Sequence, residues 1–395
     1  MLENSNKKKV QRGANNHAGY KDYFMQLQKS GILKDVIPDF KEGYEAYDKK
    51  QFYAPFLIVF PDDEKWIIYR TTSYRSDRAK EYYWDIVNLK NIRRDISRAY
   101  LVYPDTIPES DIKDFRRFAN AVSTHALFTN LDGVYSFTAF KAKCEAKGLL
   151  GKNDGFIHNA KGVMFEQELA NSLSNKANLK NLKRPSQANI TFNSQFLKKV
   201  LDGLDIDPRD VVRIDASADR EDIGLLPTKG QPKTDVIANV EMDDGDMKTI
   251  TISCKKSGAD WVSAAQFSAE AVAAALDPLD QDLKQLLVKF QAEGTLASLD
   301  NAEQESLATK LRPLLRTLSK WVLGGIGGIG NPKTQWARWI AIYKSDDPED
   351  FEFWDIEEYV DHLLKNTKGN FGTPFHWTYA SGQKGKSIQF KVKII

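Results

Sequence analysis

The sequence predicts an α/β protein: a mixed sheet core flanked by helices, with an additional N-terminal α+β region. Three observations point there. Residues 230–256 alternate apolar and polar side chains with the period of two expected of strands, around a turn rich in Asp and Gly. Lys161–Leu173 instead places Phe165, Leu169 and Leu173 on one helical stripe, and 278–322 reads as a long helical stretch broken near Gly294–Leu299. Finally, residues 19–150 are rich in aromatics and mix both periods.

Taken in order, residues 1–18 are polar and basic and read as a mobile arm. The region 19–150 holds strand candidates at Phe52–Phe60, Lys65–Thr72 and Ala99–Tyr103, with helices over Glu109–Val122 and Ser136–Lys147. Residues 151–395 form the expected catalytic region, with 278–322 as a helical insertion. An Ala-rich helix is expected from Ser257 through Ala275, carrying Gln266. Gln335–Tyr343 reads as a strand or a buried helix, Ile356–Lys365 as a helix, and His376–Ile395 as a closing hairpin about 381–385.

The hairpin carries the chemistry. Asp235 opens its first strand, and Ser253-Cys254-Lys255-Lys256 ends its second. Paired residues in a hairpin have a constant sum of numbers. A three-residue loop at Asp243–Gly245 therefore sets Asp235 opposite Ser253, and one at Asp244–Asp246 sets it opposite Lys255. Ser253 and Lys255, two apart, share a face, whereas a two-residue turn would oppose Asp235 to Cys254. An acid beside a lysine suits metal-assisted phosphodiester cleavage. The acid holds Mg²⁺, and the lysine orients or deprotonates water and offsets charge on the phosphate. Lys256 points to the opposite face and is a candidate phosphate contact.

These residues resemble the PD-(D/E)XK nuclease superfamily, which includes most restriction endonucleases. Lys233-Thr234-Asp235 stands where that family has Pro-Asp, and Ser253-Cys254-Lys255 where it has acid-X-Lys; the second acid is here a serine. The resemblance implies a restriction-endonuclease-like core. It also implies a metal-facing glutamate on a Gly-X-X-X-Glu helix, matched by Gly162 and Glu166, and a glutamine after the lysine strand, matched by Gln266. Asp235 and Glu166, with the Cys254 carbonyl, would hold the metal, and Lys255 would activate water. Glu241, six residues along the strand, lies about 20 Å from Asp235, too far to replace the missing acid.

Arg70, Arg75, Arg78 and Lys80 sit among hydroxyls and tyrosines in Tyr69–Lys80, a candidate DNA-binding patch that Arg93, Arg94 and Arg98 extend. The tail from Gly369 to Lys393 resembles the C-terminal hairpin of certain phage and restriction-type nucleases. Pro61–Lys65 has the motif's letters within one short turn, and Gly324–Thr334 lacks the Gly-Lys-Ser/Thr of a phosphate loop.

Composition narrows the classes. At 395 residues and 42% hydrophobic content the chain can fill more than one core, and a net charge of +2 confines any nucleic-acid surface to a local patch. Two cysteines support neither a zinc site nor a disulfide framework. The N-terminus lacks the apolar core of a signal peptide, and no apolar run reaches the ~18 residues of a membrane span, so a cytoplasmic protein is expected. The function expected is a Mg²⁺-dependent, site-specific endonuclease of double-stranded DNA, a type II restriction enzyme. A homodimer would present two sites to the two strands, and a DNA methyltransferase would be its partner in the system. A phage or repair nuclease, and an inactive DNA-binding protein of the same fold, are the competing expectations.

Overall fold

The computed structural model describes residues 19–43, 51–105, 107, 109–126, 128–184, 192–256, 258–344, 348–365, 367–380 and 382–394. The basic arm expected over residues 1–18, and Ser257 and Ser381, lie outside them. The chain divides into two compact units, Met1–Met164 and Phe165–Ile395.

The first unit starts with helix α1 (19–29) and strands β1 (Asp35–Gly43), β2 (Gln51–Val59) and β3 (Lys65–Arg70). It continues through α2 (Ser76–Ile92), β4 (Ile96–Tyr103), α3 (Glu109–Ser123), β5 (Gly133–Ser136), α4 (Phe137–Gly148) and into α5 (Asp154–Ser174). The strands form one sheet in the order β1-β2-β3-β4-β5. β1–β3 pair antiparallel, and β3–β5 pair parallel across the helices that separate them. Alternate residues feed two cores: Trp66 and Ile68 pack with Phe24, Phe56 and Phe140, and Ile67 and Tyr69 pack with Ile86, Leu89 and Phe115. Burial on both faces explains why these strands read as near-continuous apolar runs.

The second unit comprises the rest of α5, then α6 (Lys176–Lys183), α7 (Phe192–Gly203), β6 (Val211–Ser217), α8 (Arg220–Ile223), β7 (Val236–Met242) and β8 (Met247–Lys256). β9 (Trp261–Phe267), α9 (Ala269–Leu276), α10 (Gln281–Glu293), α11 (Asn301–Leu311) and α12 (Leu315–Gly324) follow. β10 (Trp339–Tyr343), β11 (Phe351–Asp355), α13 (Ile356–Leu364), β12 (Phe375–Thr378) and β13 (Ile388–Lys393) complete it. A five-stranded mixed sheet runs β11-β10-β8-β7-β6, with β10 parallel to β8 and the other pairs antiparallel. On β10, Ala341 and Tyr343 face a core built with Phe165, Leu169 and Phe196, while Ile340 and Ile342 face one built with Val272, Leu318 and Val360.

The β7–β8 hairpin takes the first of the two expected odd loops. Glu241 pairs with Met247 and Val236 with Ile252, so Asp243–Gly245 form the loop. The Met242 N–H donates to the Asp246 carbonyl at 2.9 Å, and Gly245 closes the turn at φ +87°. That left-handed conformation favours glycine.

One expected element is overturned. Residues 257–275 are not one helix: Trp261–Phe267 is strand β9, and the helix starts at Ala269, with Ser268 as its N-cap accepting from the Ala271 N–H. β9 pairs antiparallel with β13, Val262 opposite Val392, in a three-stranded sheet β12-β13-β9. Its partner comes from the end of the chain, so local alanine content could not reveal the pairing.

Candidate active site

The geometry grows from the hairpin register. The Asp235 N–H donates to the Ile252 carbonyl at 2.8 Å, extending the β7–β8 ladder one residue beyond β7 and setting Asp235 across from Ser253. The Asp235 carboxylate accepts from the Cys254 N–H at 2.7 Å and from the Ser253 hydroxyl at 3.3 Å. Lys255 Nζ donates to the Ser253 hydroxyl at 2.8 Å and to the Cys254 carbonyl at 3.0 Å, and lies 3.9 Å from Asp235 Oδ2. The Lys255 and Asp235 side chains are only 11% and 18% exposed, so their charges meet little water. Ser253 stands between them, donating to the acid and accepting from the ammonium.

Glu166, on α5, joins this group electrostatically. Burial first and then the Asp235 carboxylate push its pKa from 4.5 up to about 8, against Arg220 and Lys255, which lower it. The Cys254 thiol is pushed up by burial and then by Asp235 and Glu166. Burial and the Asp235 carboxylate thus both oppose ionisation of Glu166, and a divalent cation beside the two acids would favour it. Among the described residues no three His, Cys, Asp or Glu side chains form a metal-holding cluster. The ligands expected from the sequence, the Asp235 and Glu166 carboxylates and the Cys254 carbonyl, are hard oxygen donors of the kind that Mg²⁺ takes.

Without metal, the folded protein keeps a proton on Glu166 that the unfolded chain releases near pH 4.5. The stability that this group contributes is therefore fully present below that pH and lost as pH rises towards about 8. Thermal melts in chelator from pH 5 to 8 should show a steeper fall for the native protein than for Glu166→Gln. Parallel profiles would contradict this placement of Glu166.

Two residues not singled out in the sequence also face the centre. Lys233 precedes Asp235 by two positions. Its ammonium donates to the Ala264 carbonyl at 2.6 Å and sits 5.3 Å from the Phe267 ring centroid. Burial, then Lys255, push its pKa down to about 7, against Asp235. Its alternation with Asp235 was the available signal. Arg220, the first residue of α8, has a buried Nη1 that bonds no protein atom and carries a charge felt by Glu166. A lone arginine in a short loop helix gives no periodic signal.

The remaining expected residues take these positions in the fold. Gln266 is exposed on β9, opposite Gln389, so the helix that was to present it at the centre is absent. Lys256 Nζ lies 4.7 Å from the Tyr343 ring centroid, an arrangement that stabilises a cation. Glu241 lies 3.6 Å from Arg213 at the far end of the hairpin. In the first unit Arg70 ends β3, Arg75 precedes α2, and Arg78 and Lys80 lie in its first turns. Arg75 pairs with Asp77, Arg93 with Asp95 and Glu42, and Arg98 with Asp132. Ion pairing therefore reduces the positive surface expected there.

A mixed sheet flanked by helices, with an acid just before one strand and a lysine near the end of its neighbour, fits the restriction-type endodeoxyribonuclease expected from the sequence. Comparison with known proteins agrees. The model of the family "Restriction endonuclease MspI" matches residues 141–392, and the chain belongs to that family. It is a site-specific DNA endonuclease. It is 27% identical over 386 residues to the type II restriction enzyme BsuFI of Bacillus subtilis, covering 91% of each chain. It is also 27% identical over 204 residues to the type II restriction enzyme MspI of Moraxella sp, covering 49% of this chain and 75% of that one. The crystal structure of MspI with its cognate DNA superposes with a TM-score of 0.55 at 22% identity, covering 64% of this chain and 97% of that chain; this likeness speaks to the fold. Among the described residues no helix is long and apolar enough to cross a membrane.

Proposed function

We propose that the chain is a Mg²⁺-dependent type II restriction enzyme that cuts double-stranded DNA, with Asp235, Glu166 and Lys255 as its catalytic core. The observation that carries this is the Asp235–Ser253–Lys255 bond network, with Glu166 coupled electrostatically to Asp235. Asp235, Glu166 and the Cys254 carbonyl would hold the cation. When bound, the cation supplies positive charge to the phosphoryl oxygens and acidifies water.

The remaining work falls to the protein. Lys255, already fixed by Ser253 and the Cys254 carbonyl, orients the attacking water and offsets charge as the P–O3′ bond breaks. Ser253 keeps Lys255 and Asp235 in register without a third negative charge. Two carboxylates balance one divalent cation, so the lysine leaves the pocket net positive towards phosphate. Arg220, with its unbonded buried nitrogen and its charge felt by Glu166, would take a phosphoryl oxygen. Gln266, on an exposed strand position, is assigned no step.

Arg70, Arg75, Arg78, Lys80 and Lys256 are the candidate DNA contacts, the first four making the N-terminal unit a recognition module. Cutting two strands calls for two centres, supplied by a homodimer. The setting is the cytoplasm beside a methyltransferase that protects host DNA.

The test is incubation with mixed plasmid DNA and Mg²⁺, with a chelator control. Discrete, chelator-sensitive fragments are expected. A smear or structure-selective nicking would instead indicate a repair or phage nuclease, and intact plasmid an inactive DNA-binding protein.

A further inference from the structure

We propose that a basic groove between α6 and β6 is a second DNA-backbone grip, remote from the cutting centre. It rests on the endonuclease reading above. The groove is a cavity of about 650 Å³ rimmed by Lys176, Lys180, Lys183, Arg184 and Arg213, against a single acid, Glu241. β6 is the edge strand of the five-stranded sheet, and the Ser174 hydroxyl at the end of α5 bonds the Ala216 N–H and carbonyl on it. The floor is apolar, formed by Leu173, Leu179, Val212 and Ile214, and Val212 is 52% exposed.

The lysines of α6 lie four and three residues apart, which puts them within one stripe of the helix surface. From the first to the last the stripe runs roughly 10 Å. That matches about three phosphates of one strand at ~3.4 Å of duplex axis each. Among the described residues no acidic side chain pairs with Lys176, Lys180, Lys183 or Arg184. Arg213 alone is paired, with Asp215 at 2.9 Å and Glu241 at 3.6 Å.

Helix stability does not account for the stripe. Like charges at this spacing repel, and Lys176 stands in the first turn, where the helix dipole disfavours a cation. The helix N-terminus is already satisfied by Asn175, which accepts from the Ala177 and Asn178 N–H groups. Uncompensated cations on a rigid helix, above a floor on which deoxyribose can rest, complement a phosphodiester backbone.

The groove is separate from the cutting centre. Ser174, which lines it, is eight residues beyond Glu166 on α5, roughly 12 Å along the helix axis. Glu241 is about 20 Å from Asp235 along β7. A duplex held at both places would be gripped outside the bonds being cut, adding affinity that depends on salt and not on sequence.

The experiment measures anisotropy of labelled 30-base-pair duplexes, in chelator, from 50 to 200 mM NaCl, with the full chain. Variants are Lys176→Gln/Lys180→Gln/Lys183→Gln, the single Lys180→Ala, and Asp235→Ala as a control on the cutting centre. Loss of three phosphate contacts should lower the slope of log K against log salt by about 2.7, and loss of one by about 0.9. The triple variant should bind more than tenfold more weakly at 100 mM salt, for duplexes with or without a cleavage site, while its melting temperature stays near native. Native slope and affinity in both lysine variants would overturn the grip and leave the endonuclease reading standing. Native protein that neither binds nor cuts DNA would overturn that reading and the grip together. Competition by inorganic phosphate or a mononucleotide as effective per phosphate as duplex would also overturn the grip, showing a small-anion pocket instead.

Discussion

Asp235→Ala should abolish cleavage, with a loss of at least about 10³-fold in single-turnover rate, equivalent to ~4 kcal/mol of transition-state stabilisation. Asp235 is the carboxylate on which the centre converges: it accepts from Cys254 and Ser253 and lies 3.9 Å from the Lys255 ammonium. Removing it takes away half of the side-chain charge available to a cation. Truncation also strands the Cys254 N–H, at a cost of about 1–3 kcal/mol in stability if water does not replace the acceptor. Asp235→Asn keeps an acceptor for that N–H, so it should fold like the native protein and be equally inactive. Metal-free DNA binding by both variants should equal or exceed native affinity, because one anion no longer opposes the phosphates. Rate measurements at saturating Mg²⁺, paired with gel-shift titrations in chelator, check both halves. Undiminished cutting by either variant rejects the assignment.

The second large effect is expected at Lys255. Lys255→Ala should slow the chemical step by roughly 10²–10⁴-fold, the range in which a positioned proton-transfer group contributes. KM should change little, since the ammonium sits within the centre, 11% exposed and bonded to Ser253 and the Cys254 carbonyl. Lys255→Arg should rescue little of this. A planar guanidinium cannot reproduce a point charge bonded to two closely spaced oxygens. Single-turnover rates against enzyme concentration separate the two parameters. A defect confined to KM would move Lys255 from chemistry to substrate binding.

Local signals in the chain were strong where structure is local. The β7–β8 hairpin, the stripe of Phe165, Leu169 and Leu173, the helices between 278 and 322, and strands β2, β3 and β4 of the first unit follow side-chain periodicity or turn residues visible in the chain itself, whereas β1 and β5 gave no such signal. The hairpin arithmetic even narrowed the loop to two choices. Gly245 at φ +87° and the 2.9 Å Met242–Asp246 bond select the one that faces Asp235 with Ser253. The errors lie where a distant partner overrides propensity. Trp261–Phe267 reads as an alanine-rich helix until β13, more than 120 residues later, offers a strand to pair with it.

By itself, then, the sequence determined the α/β class, the hairpin and the residue types of a phosphodiesterase centre, because these depend on short-range periods and on side-chain chemistry. Only the tertiary structure decided that Glu166 feels the charges of Asp235, Lys255 and Arg220, that Lys233 feels those of Asp235 and Lys255, and that Gln266 takes an exposed position on a strand. It also decided that the lysines of α6 line a groove with β6. The reason is physical. Electrostatic coupling and burial depend on which segments pack together, and that packing is set by burial summed over the whole core rather than by any one window of residues.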